Sequence, residues 1–170
     1  MINEAIRIIP VAEATPKLCK QLREWFEEEF GRADSWAEPD HYVILSLEGQ
    51  LAGRLGVIDA KVSVGNHIMR VGGIGGVATK PEFRHRGVAS AMLSRAAQFM
   101  KSDLGVEFGF LLCRHEVSPV YSKMGWIIVA GPTTFSRAGV TARYPNDTMI
   151  LPLATKEWPS GPIDMLGLPW

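Results

Sequence analysis

The sequence predicts one mixed α/β domain whose elements run β-α-β-β-β-α-β-α-β-β. Three observations lead there. Leu18, Leu22, Trp25, Phe26 and Phe30 recur at helical spacing between Thr15-Pro16 and Gly31, which marks an early helix. The stretch from Tyr42 to Thr79 is β-rich and broken only at Glu48-Gly49 and Gly65-Asn66, a meander of strands. Residues 106–113 (VEFGFLLC) form a nearly continuous apolar run, as expected of a strand buried on both faces. With 170 residues, 46% hydrophobic and 21% charged, the chain can bury one core and is short for two ordinary domains.

Taken in order, residues 5–11 (AIRIIPV) are short, β-rich and end at a turn signal, a first strand. Thr15 is placed to N-cap the helix, Pro16 to fill its first position and Gly31 to sit just past its end. Residues 32–40 (RADSWAEPD), polar around Trp36, read as a loop or broken helix. Strands follow at 42–47, 51–64 and 67–79, and Pro81 stops the third. A second helix then places Ala89, Met92, Leu93, Ala96 and Met100 on one face. After the apolar strand, residues 119–124 read as a short helix closed by Gly125, residues 126–130 as a strand and residues 148–153 (TMILPL) as one more. Beyond Leu153 the chain is rich in Pro and Gly and reaches Trp170.

Charge and cysteine content exclude several classes. Lys+Arg and Asp+Glu are each 18, a net charge of +0, whereas a nucleic-acid binder shows a basic excess. Cys19 and Cys113 stand far apart and form no disulfide framework or zinc spacing, so no metal is expected. The start has no apolar leader segment, and no apolar run approaches the roughly 20 residues that span a bilayer. The expectation is a cytoplasmic protein with neither nucleic acid nor membrane as partner.

The chemistry concentrates at residues 77–91, VATKPEFRHRGVASA. A strand ends at Thr79, a tight loop carries Arg84, His85 and Arg86, and Gly87 opens a helix. Amides of a first helical turn lack internal acceptors, and the helix dipole places partial positive charge there. With no acidic side chain among residues 84–89, that loop suits a phosphate; it also reads as a plain β-α turn with two solvated arginines. Gly73 to Ala78 (GIGGVA) fits the dinucleotide pattern G-x-G-x-x-A, but no helix opens there, which rejects a Rossmann site. The glycines at 72, 73, 75 and 76 mark either a bulge where a ligand approaches or a close strand–helix crossing.

Arg84-His85-Arg86-Gly87-Val88-Ala89 resembles the R/Q-x-x-G-x-G/A signature of the GNAT acetyltransferase superfamily. It follows a strand end, Val77-Ala78-Thr79-Lys80-Pro81, and precedes an amphipathic helix, as in that family. Phe108 to Cys113, then Tyr121-Ser122-Lys123-Met124-Gly125-Trp126, are similar to the family's next strand and its Y-x-x-x-G-F/W turn. The resemblance covers residues 70–130. It implies a mostly antiparallel central sheet flanked by helices. A narrower resemblance joins the Tyr121 turn, Gly131-Pro132-Thr133, the strand after Asp147 and Trp170 to aminoglycoside 2'-N-acetyltransferases. Ser35-Trp36-Ala37, Phe108-Gly109-Phe110, Arg114-His115 and Trp158-Pro159 are similar to NodA nodulation acyltransferases. Both groups acylate amino sugars.

The superfamily resemblance implies acetyl-CoA as co-substrate and a small-molecule primary amine as acceptor, and it admits a homodimer. The backbone of Val77, Ala78 and Thr79 would pair with pantetheine, and the amides of Arg84, His85, Arg86, Gly87, Val88 and Ala89 would take the pyrophosphate. Splayed central strands would admit the thioester and leave a free N–H for its oxyanion. Tyr121 matches the family's general acid, a phenol that stays protonated at neutral pH. Relatives that place a Glu on the strand before the loop are not matched, since Ile74, Gly75, Gly76 and Val77 offer no carboxylate. A water chain, Glu116, Asp40 or the carboxylate of Trp170 remain as bases.

A cationic acceptor needs anionic or aromatic surroundings, for which Asp34, Trp36, Asp40, Asp147 and Trp170 are the candidates. Cys113, His115 and Glu116 invite nucleophilic chemistry, but adjacent residues of an extended segment alternate faces, and Cys113 reads as a buried strand residue. Two other activities stay open: a protein that binds acyl-CoA without chemistry, and an acyltransferase using a longer chain.

Overall fold

The protein is described here by a computed structural model covering residues 6–170. Strand β1 (Ile6–Pro10) leads into helix α1 (Pro16–Phe30), whose first turn is capped by the Thr15 hydroxyl accepting from the Leu18 amide at 3.2 Å. Then come β2 (His41–Leu47), β3 (Gln50–Val64) and β4 (His67–Thr79). Helix α2 (Val88–Phe99) ends in a π-helical turn, Met100–Leu104, and β5 (Phe108–Cys113) follows. The rest is α3 (Ser118–Ser122), β6 (Ile127–Ile128), β7 (Thr133–Arg137), β8 (Val140–Arg143), β9 (Asp147–Pro152) and β10 (Ile163–Asp164).

The ten strands form one sheet in the order β6-β9-β5-β4-β3-β10-β7-β8, with β2 also on β3 and β1 outside β2. Its pairs are antiparallel except β4 with β5 and β7 with β10. The mixed α/β class and the order of the early elements therefore stand, with strands added late in the chain. Ala5 lies outside the described residues, and Val11 starts a 3-10 turn rather than ending β1. The strand expected over residues 126–130 shrinks to two residues. Strand β10 escaped the sequence because it is two residues long, and the β7–β8 hairpin because its turn is Ala138-Gly139. Both residues are left-handed, φ 50° and 77°, and Ala at the first of them carries none of the Asn or Asp signal such turns usually show.

The two sheet faces are covered differently. Val88, Met92, Leu93, Ala96 and Phe99 of α2 bury against Val43, Leu45, Leu55, Val57, Ile74 and Leu111. On the other face Phe108 and Phe110 pack with Ile163, Met165 and Trp170 from the C-terminal segment, and with Trp158.

The feature that makes a site is the parting of β4 from β5. They pair at only three positions, Gly72↔Gly109, Gly73↔Phe110 and Ile74↔Leu111. Beyond them β4 bulges. Arg54 faces Ala78 and Gly56 faces Gly75, so Gly76 and Val77 together stand opposite Leu55. Gly76 sits at φ 60°, and a Cβ there would lie 2.9 Å from the Phe26 ring. Residues 75–79 thereby keep β3 on one edge and leave the other edge without a strand.

Gly76→Ala should lower stability by about 1–2 kcal/mol, the cost of a left-handed non-glycine residue, with the Phe26 contact adding to it. Chemical denaturation measures this. An unchanged midpoint would show that the bulge does not require glycine.

Candidate active site

Two adjoining cavities open where β4 leaves β5. One, of about 490 Å³, is walled by Ile74, Gly75, Gly76 and Val77 of β4, Leu111 to Arg114 around β5, and Tyr121 and Tyr144. The other, of about 370 Å³, lies between α1 and the strands β2 and β3, and is walled by Phe26, Trp36, Tyr42, Arg54, Gly56 and Ile58. Phe26, Trp36, Gly75, Gly76 and Trp170 belong to both. Arg54, Gly56 and Ile58 alternate along β3 and point away from α2, which is why the second cavity opens on that face.

Trp170 divides the cavities. It is 7% exposed, its ring lies 5.5 Å from that of Phe110, and its indole N–H points at the Phe110 carbonyl at 3.5 Å. The Ala37 amide donates to the Pro169 carbonyl at 2.7 Å, fixing the approach of the chain. A Cβ on Gly75 would stand 2.7 Å from the Trp170 carbonyl carbon, and one on Gly73 would strike the indole. Gly72 instead lies under Met100. The glycine run thus combines the two expected readings, a bulge at Gly76 and close crossings at its neighbours.

The loop between Lys80 and α2 holds His85 and Gly87 in left-handed conformation, φ 60° and 76°. The first helical bond runs from the Ala91 amide to the Gly87 carbonyl at 3.0 Å, so the amides of Val88, Ala89 and Ser90 precede any intrahelical acceptor. A Cβ on Gly87 would meet nothing within 4 Å, so the space before these amides is open. Both arginines are tethered. Arg84 Nε donates to the Thr79 carbonyl at 3.2 Å, and Arg86 pairs with Glu48 at 2.8 Å over the Phe83 ring.

Tyr121 comes from the short α3 and stands edge-on to Trp126, ring centroids 6.2 Å apart. Burial, then the nearby Cys113 and Tyr144, push its phenol up to about 12, and Tyr144 in the same wall is also raised to about 12. Tyr144 follows β8 and has no motif around it, so nothing in the sequence singled it out. Cys113 is a thiol rather than a nucleophile: burial, then the charge of Asp147, pushes it up to about 11, and its Sγ lies 3.6 Å from Met149 Sδ.

The acceptor candidates divide. Trp36 and Trp170 line both cavities. Asp34 is turned away, because Arg32 two residues earlier holds it at 2.6 Å. The Asp40 carboxylate accepts from the Asp59 amide at 2.7 Å and lines neither cavity. Asp147 pairs with His115 at 2.7 Å and faces a separate hollow with Thr133 and Asn146. Glu116 also lines neither of the two cavities; the side-chain carboxylates that do are Glu38 and Glu29, and Trp170, the remaining base expected from the sequence, lines both. The sequence missed Arg54. It is buried, it donates to the Leu22 carbonyl at 2.8 Å, and burial pulls its guanidinium down to about 10, still protonated at neutral pH. Among the described residues no group of three His, Cys, Asp or Glu could hold a metal, and no helix is long and apolar enough to cross a membrane.

Comparison with known proteins bears on this geometry. A family model described as an acetyltransferase (GNAT) domain matches residues 12–129. An aminoglycoside 2'-N-acetyltransferase of Mycolicibacterium fortuitum is 25% identical over 130 residues, 75% of this chain and 65% of that protein. Among solved structures, the GNAT family N-acetyltransferase YhbS of Escherichia coli in complex with CoA superposes with TM-score 0.68 at 15% identity, covering 95% of this chain and 88% of that one. Escherichia coli ElaA gives 0.64 at 12% identity over 89% and 99% of the two chains. Eis1 of Mycobacterium abscessus gives 0.59 at 16%, with 74% of this chain on 31% of that protein. The chain thus spans just under two thirds of its aminoglycoside-modifying relative and about a third of Eis1.

The buried phenols make a pH prediction. A phenol whose folded pKa exceeds its unfolded value favours the fold below about pH 10 and withdraws that contribution as pH rises toward 12. Stability should hold below about pH 10 and fall between there and 12, with a shallower fall in Tyr121→Phe. Thermal melts from pH 8 to 12 measure it, and identical slopes in the two proteins would contradict the burial of Tyr121.

Proposed function

The chain belongs to the GNAT acetyltransferase family, and from that premise we propose that it moves the acetyl group of acetyl-CoA to a primary amine. The observation that carries the reading is the strand-free edge of residues 75–79, aimed at an open helix N-terminus. Pantetheine is an extended amide chain, and an edge without a strand offers it backbone partners at Val77, Ala78 and Thr79. The amides of Arg84, His85, Arg86, Gly87, Val88 and Ala89, at the positive end of α2, suit a pyrophosphate, and the two arginines add charge beside it.

At the head of the edge the Gly76 bulge brings the thioester carbonyl between the two cavities. The amine nitrogen attacks that carbonyl from the α1 side, the carbon–sulfur bond breaks, and the thiolate leaves toward Tyr121. A phenol held above its usual pKa is protonated at any physiological pH and donates to sulfur. It recovers its proton from the ammonium through water. Glu29 and Glu38, both exposed, sit on the water side of the two cavities. An amino-sugar acceptor is supported by the likeness to the Mycolicibacterium fortuitum protein. The wall of the second cavity supports it less, offering one acidic side chain, Glu38, beside Lys20, Arg23 and Arg54.

Acetyl-CoA should raise the melting temperature by mass action on the native state, whereas NAD should not. Gly87→Ala should weaken that binding by about tenfold or more by calorimetry, since its Cβ would occupy the space before the amides. Unchanged affinity would reduce the loop to a turn.

Tyr121→Phe keeps the ring and should retain acetyl-CoA binding while kcat for CoA release falls by about 10²–10⁴. The alkaline limb of the wild-type rate should lie well above pH 10. Equal kcat would remove Tyr121 as the acid, and acetyl-CoA binding without CoA release for any amine in a panel of amino acids, polyamines, aminoglycosides and peptides would leave a binding protein.

A further inference from the structure

The second cavity is lined largely by apolar and aromatic side chains, yet Arg54 stands in its wall with 3% of its surface exposed. Its Nη1 has the Leu22 carbonyl, its plane lies 5.1 Å from the Phe26 ring and 5.9 Å from that of Tyr42, and its Nε has no hydrogen-bond partner. Among the described residues no carboxylate pairs with it. The neighbouring cations are already served, Lys20 by Glu24 and Arg23 by Glu27, one turn along α1. A guanidinium taken out of water and given one neutral acceptor carries a charge that the fold does not balance. Two aromatic faces lessen that cost but do not replace an anion.

Resting on the acetyl-transfer reading above, we propose that Arg54 receives the carboxylate of the acceptor, and that the acceptor is an α-amino acid with an apolar or aromatic side chain. Position argues for the α-amino acid. Arg54 Nη2 lies 3.0 Å from where a Cβ on Gly76 would stand, at the bulge where the thioester arrives. A carboxylate held there must sit within one or two bonds of the carbon bearing the attacking nitrogen, as in an α-amino acid. Phe26, Trp36, Pro39, Tyr42 and Ile58 then surround the side chain. Nη1 is engaged by Leu22 and Nε is sealed from solvent, so Nη2, the nitrogen nearest the bulge, is the donor left for a carboxylate. The reaction balances: a nitrogen–carbon bond forms, the carbon–sulfur bond breaks, and the proton lost by the amine leaves on CoA sulfur.

Arg54 also ties β3 to α1 through Leu22, and the experiment separates that structural duty from carboxylate binding. CoA release is measured with phenylalanine and with phenylalaninamide, and calorimetry in the presence of CoA compares N-acetylphenylalanine with its amide. The amide has the less basic amine, which works against the expected result. We expect the carboxylate to be favoured at least tenfold in both comparisons, and Arg54→Met to erase the preference while still binding acetyl-CoA and melting no lower than wild type. Equal handling of acid and amide, binding of neither, or an Arg54→Met protein that melts lower and keeps the preference would overturn the assignment. Acetylation of an aminoglycoside with no response to amino acids would overturn it and leave the acetyl-transfer reading intact. Binding of N-acetylphenylalanine with no affinity for acetyl-CoA would do the reverse.

Discussion

The candidate site of this molecule depends on two parallel strands that pair briefly and then separate. A parallel ladder is normally closed from end to end, because every unpaired backbone group it leaves must find another partner. Here β4 and β5 share only the glycine-rich segment from Gly72 to Ile74 and its partners. The bulge at Gly76 and Val77 turns β4 away before side chains on β5 can follow it. The sheet stays whole, since β4 continues on β3 and β5 continues on β9. One sheet thus holds a wedge-shaped opening without losing its core, and both cavities grow from that wedge.

The opening is held by large side chains meeting absent ones. Met100 fills the space over Gly72 on one face, and Trp170 fills that over Gly73 and Gly75 on the other. Phe26 of α1 comes down on Gly76, and its ring also meets Arg54. Glycine in a strand weakens it, so a run of four here is tolerated only because the neighbours supply the packing. Trp170 serves the fold and the site together. It covers Phe110 and is a wall shared by both cavities.

Much of this was legible in the sequence, for identifiable reasons. Period and punctuation gave α1, β3, β4 and α2, because Thr15, Pro16, Gly31, Gly65 and Pro81 stand where chain geometry demands them. The opening of α2 at Gly87 was visible because a helix N-terminus leaves a local signature. The acceptor side was legible only in its aromatic residues, Trp36 and Trp170, which line both cavities. Asp34, Asp40 and Asp147 have the right charge, but Arg32, the Asp59 amide and His115 claim them locally. Arg54 was hidden because an arginine inside a strand looks like a solvated one until α1 covers it. Tyr144 was hidden because its place beside Tyr121 depends on the β7–β8 hairpin, whose turn carries a weak signal.

The Trp170 contact has a kinetic meaning. Its indole reaches Phe110 across 60 positions of the chain, with β6 to β10 in between. The hairpins β2–β3 and β3–β4 close through short turns and need no such search. Loop-closure entropy places contacts of that reach late in folding, after local pairing has formed. Closing the wall between the cavities therefore costs more chain entropy than closing either of these hairpins.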